Sequence, residues 1–71
     1  MNIDMIAFSR IHAIYKGRER EYNELYDALY YYMLTYIDEC LIDNYMFRDE
    51  VENYTGLRKH EDIVDFILNL D

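Results

Sequence analysis

Carboxylates are the chemically capable groups that this sequence holds in quantity. Fifteen Asp and Glu stand against seven Lys and Arg, a formal net charge of −8 over 71 residues. Paired acids do acid–base work only where one sits in a pocket that raises its pKa, and a chain this short encloses little. The other reactive types are sparse. His12, His60 and Cys40 stand at no metal-ligand spacing with one another, and Ser9 with His12 is a chance i, i+3 pair. Gly17 and Gly56 are isolated, so no glycine-rich phosphate loop is present, and the stretch from Asp43 to Glu52 lacks the central glycine of a calcium loop. No catalytic residue, metal or cofactor is expected.

Binding is the better use for so much charge. Glu21, Glu24 and Asp27 recur at helical spacing, about 5–6 Å apart, Asp38 and Glu39 continue the acidic side beyond Tyr31 and Thr35, and Asp43, Asp49, Glu50 and Glu52 can extend it around the end. Exposed helices ordinarily interleave Lys with Glu, yet no cation occurs between Glu21 and Arg48. Such a row presents charge as a polynucleotide backbone does, and its complement is a basic protein surface. Direct contact with nucleic acid or anionic lipid is opposed by the same charge. Nine tyrosines add interface-prone rings. Tyr31, with Glu24, Asp27 and Asp38 around it on a helix, is the expected partner-contacting aromatic.

The elements that must position these groups read as helices. No proline occurs, and the two glycines divide the chain where helices stop. Asn2 can cap a first helix over about Ile3 to Lys16, with Asp4 in its first turn and Ile3, Ile6, Ala7, Ile11 and Ile14 at intervals of three and four. From Arg18 to Phe47 there is no breaker, which predicts one central helix about 45 Å long, a break near Asp43 or Asn44 being the alternative. Its apolar face gathers Leu25, Leu29, Tyr32, Met33, Tyr36 and Cys40 as core or dimer surface. A short polar helix or turn then ends at Gly56, and a last helix runs from Lys59 to Leu70 with Ile63, Val64, Phe66 and Ile67 inward. The fold class is all-α: a small three- to four-helix bundle in one acidic domain, with homodimerisation expected to cover the surplus apolar side of the long helix. Cys40 rules out an internal disulfide, Met1 to Asp4 carries no basic leader, and no apolar run approaches the ~20 residues of a membrane span. A cytoplasmic protein is expected.

The segment from Glu50 to Arg58, with Thr55-Gly56-Leu57 at its centre, resembles the turn of helix-turn-helix DNA readers. It departs from them at Glu52, Asp62 and Asp65, where that family places small or apolar residues, so the resemblance implies at most a degenerate regulator. In composition the chain is similar to phage anti-defence proteins such as anti-CRISPR and anti-restriction inhibitors, which are short, acidic and helical. That resemblance implies an inhibitor, a nucleic-acid mimic blocking a basic nucleic-acid-binding surface of a partner. A helical adaptor or antitoxin-like protein docking through apolar faces is the alternative.

Overall fold

A computed structural model of the chain describes residues 2–18, 21–38 and 44–70, with only the backbone for 44 and 45. The described residues form four helices and no strand: α1 (Ile3–Gly17), α2 (Glu24–Ile37), α3 (Asn44–Thr55) and α4 (His60–Leu68). α1 packs against both α2 and α4, and α2 packs against α3.

Several starts and stops have a local cause. The Asn2 side chain accepts from the Asp4 N–H at 2.8 Å, and Asn23 does the same for Leu25 at 2.9 Å, satisfying donors that a helix start leaves open. α3 closes through Thr55, whose hydroxyl donates to the Val51 carbonyl and accepts from the Leu57 N–H. Gly56 then turns the chain at φ +75°, a conformation that L side chains resist. Arg10 of α1 donates through Nε to the Ile67 carbonyl at 2.9 Å, placing a cation on the C-terminal end of α4.

Ala7 and Ile11 of α1, Ala28, Leu29, Tyr32 and Met33 of α2, Val51 of α3, and Ile63, Val64 and Ile67 of α4 form the buried core. Leu29, Tyr32 and Met33 are thus enclosed within one chain, while Leu25 and Tyr36 are half-buried at its margin. Cys40 lies outside the described residues.

The expected helix from Arg18 to Phe47 is not one element. Asn23 opens α2 as its cap, so Glu21 and Tyr22 precede the helix, and Asp38 ends it with extended backbone at φ −118°, ψ 97°. The reason is tertiary. A rod of about 45 Å overreaches a molecule measuring 29 × 28 × 24 Å and leaves one flank bare. Folding back brings α3 onto that flank and buries Val51 against α2 instead. The polar segment after Arg48 is accordingly the second half of a twelve-residue helix beginning at Asn44, near the alternative break. α1 and α4 lie within two residues of their expected bounds.

Candidate acidic cleft

Fold-back changes which acids stand together. Glu24 and Asp27 occupy the first turn of α2, where the helix dipole favours carboxylates. Glu50, Asn53 and Tyr54 share one face of α3 at spacings of three and four, and they meet Glu24 and Asp27 across a cleft of about 440 Å³ walled on its remaining side by Tyr22. Among the described residues, no Lys or Arg lines it.

Tyrosine hydroxyls hold the two α2 carboxylates in place. Tyr15 and Tyr22 donate to the two oxygens of Asp27, at 3.1 and 3.2 Å, and Tyr54 donates to Glu24. The carboxylates answer by keeping the phenols protonated. The hydrogen bond to Glu24, with desolvation second, pushes the Tyr54 pKa up to about 12. Tyr15 is also pushed to about 12, by desolvation first and Asp27 next, and Tyr22 is raised by the same two causes. Neutral donors orient a carboxylate without cancelling its charge, so the cleft keeps its negative potential.

A second, smaller hollow of about 160 Å³ adjoins the first, with Tyr22 common to both. Its cations are Lys16, over the Tyr15 ring at 5.7 Å, and Arg18, over the Tyr26 ring at 5.1 Å. Glu21 falls here and not in the acidic cleft. Asp38 is exposed at the far end of α2, and Glu39 and Asp43 lie outside the described residues. The structure therefore joins Glu24 to Asp27 but separates both from Glu21 and Asp38. Tyr31 is drawn elsewhere: its ring stacks on Phe47 at 5.6 Å and meets Tyr30 edge-on at 5.1 Å, in a half-buried aromatic band that also includes Phe8, His12 and Tyr15. From sequence, Glu50 is expected only as an extension of the acidic side, and Tyr22 and Tyr54 carry no partner-binding role. The spacing of Glu50, Asn53 and Tyr54 was visible, but their place opposite Glu24 depends on the fold-back.

The remaining acids are differently engaged. Asp49 and Glu52 each pair with Arg58 at 3.2 Å on the exposed side of α3. Asp4 takes part in an inner relay: Arg48 Nη2 donates to Tyr36 Oη (2.8 Å), Tyr36 and Tyr32 share a hydroxyl contact (3.3 Å), Tyr32 Oη meets His60 Nδ1 (2.8 Å), and His60 Nε2 meets Asp4 Oδ1 (2.7 Å). An Asp–His–hydroxyl sequence is the arrangement of nucleophilic catalysis. Here the Tyr32 side chain is fully enclosed, and burial raises its pKa, so the relay joins helices and offers no hydroxyl to a substrate. Among the described residues, no three His, Cys, Asp or Glu side chains gather to hold a metal ion, and no helix is long and apolar enough to cross a membrane.

At the Gly56 turn, α4 leans on α1 and carries Glu61, Asp62 and Asp65 on its exposed side. A recognition helix would turn those acids toward phosphates. Comparison of the chain with protein-family models, with curated proteins and with solved structures gave no significant match.

Proposed function

We propose that this chain is a small acidic binding protein that docks on a basic, nucleic-acid-binding surface of another protein, inserting that surface's Lys or Arg side chains into the cleft between α2 and α3. An inhibitor of the phage anti-defence kind would act in this way. One observation carries the reading: Glu24, Asp27 and Glu50 converge from two helices on a cleft that no described Lys or Arg lines, and among the described residues the side-chain hydrogen bonds to Glu24 and Asp27 come from neutral phenols. Steering by the net charge speeds encounter, and the Tyr22 and Tyr54 rings at the rim supply contact area that slows release.

The test uses isosteric neutralisation, Glu24→Gln with Asp27→Asn and Glu50→Gln, which preserves hydrogen-bond acceptors. The wild-type chain, immobilised and exposed to a bacterial lysate, should retain a nucleic-acid-binding protein at low ionic strength, release it at moderate ionic strength, and block that protein's binding to DNA or RNA. The triple variant should do none of these while keeping its helical circular dichroism. Undiminished capture by the variant refutes the reading.

A second reading has its own support. Ile3, Met5 and Ile6, at the start of α1, are 53%, 43% and 40% exposed, an apolar patch suited to an adaptor or antitoxin-like protein. Docking there would be indifferent to salt and to the triple variant.

A further inference from the structure

The acidic cleft and the cationic hollow are neighbours, and the boundary between them is Tyr22, 71% exposed. Lys16 and Arg18 are also exposed and their side chains lie over aromatic rings; Glu21 shares the hollow, but among the described residues no carboxylate is in ion-pair range of either cation, which leaves the hollow net positive. Adjacent patches of opposite sign have a geometric consequence. A two-fold rotation about their common edge lays each patch of one copy over the opposite patch of the other, and such an isologous contact closes at two subunits.

We propose that two copies of this chain associate through this face, about an axis beside Tyr22, with Lys16 and Arg18 of each copy set against Glu24, Asp27 and Glu50 of the other. Charge complementarity selects a second copy as occupant, and the exposed Tyr22 provides an aromatic anchor at the centre. The net charge of −8 repels the two copies at long range. Physiological salt, with a screening length of about 8 Å, suppresses that repulsion more than it weakens the contact pairs. Association is therefore strongest at intermediate ionic strength and declines on either side. This interface differs from the α2 face first expected to pair, whose Leu29, Tyr32 and Met33 are enclosed within one chain. It requires no foreign partner, although a basic partner would compete for the same cleft.

Sedimentation equilibrium of the full chain in the micromolar range tests the proposal. The wild type should exceed the 8.8 kDa of one chain. Lys16→Glu with Arg18→Glu makes the whole face acidic, and Glu24→Lys with Glu50→Lys, which leaves Glu21 and Asp27, makes it net positive. Each double variant alone should associate about tenfold more weakly or worse. An equimolar mixture should recover association to near the wild-type level, because each altered patch then meets its opposite. Circular dichroism checks the fold, and Glu50→Lys alone, on an exposed turn of α3, replaces the second variant if Glu24→Lys unfolds it. A wild type of single-chain mass throughout, double variants that associate as the wild type does, or a mixture that fails to recover overturns the proposal.

Discussion

Tyr32→Phe isolates the relay that joins all four helices: Asp4 from α1, Tyr32 and Tyr36 from α2, Arg48 from α3 and His60 from α4. The substitution keeps the ring that fills the core and deletes one oxygen. That oxygen bonds His60 Nδ1 at 2.8 Å and contacts Tyr36 Oη at 3.3 Å. Tyr36 keeps the Arg48 donor, so the longer contact is the smaller loss. The His60 nitrogen loses its partner in a side chain only 25% exposed, where water makes good part of the loss. One net hydrogen bond plus incomplete resolvation gives about 1–3 kcal/mol. In a domain of this size each kcal/mol lowers the thermal midpoint by about 4–8 °C. Urea and thermal unfolding at neutral pH, followed by circular dichroism, measure it. Asp4→Asn completes a double-mutant cycle: if the imidazole transmits between its two partners, the two losses fall short of additive by at least about 0.5 kcal/mol. A Tyr32→Phe protein within about 0.5 kcal/mol of wild type, or a strictly additive cycle, refutes the idea that the relay braces the bundle.

Alkali should unfold the protein over a defined window. Tyr15 and Tyr54 titrate near 12 when folded and near 10 when unfolded, so the unfolded state loses protons first; stability holds below pH 10 and falls as pH rises toward 12. Urea midpoints against pH report this, and Tyr54→Phe should flatten the decline. Gly56→Ala meets no atom within 4 Å of the added Cβ, so its cost is the backbone alone, about 1–2 kcal/mol at φ +75°, and a neutral result in urea unfolding would contradict the assigned turn. Arg58→Ala breaks two exposed ion pairs and should change stability by less than about 1 kcal/mol, whereas a larger loss in the same assay would mean that Arg58 supports more than Asp49 and Glu52.

Residues a few positions apart carried what the sequence determined by itself. Asn2, Asp4 and the isoleucine spacing of α1 act within one or two turns of each other, as do Gly56 at the end of α3 and the inward run of Ile63, Val64 and Ile67 in α4. These marked the all-helical class, two of the helices and half of the buried core. The stretch from Arg18 to Phe47 has a local mark only at its start, where Asn23 caps α2. Every residue after it tolerates a helix, so the burial gained by laying α3 on α2 decided that the helix should stop at Ile37. The acidic cleft and the relay depend on the same decision. Glu24 and Tyr54 are thirty residues apart, as Asp4 and His60 are fifty-six, and neither member carries a mark of its partner. Hydrogen bonds over such distances in the chain form only after the apolar faces have fixed how the helices pack.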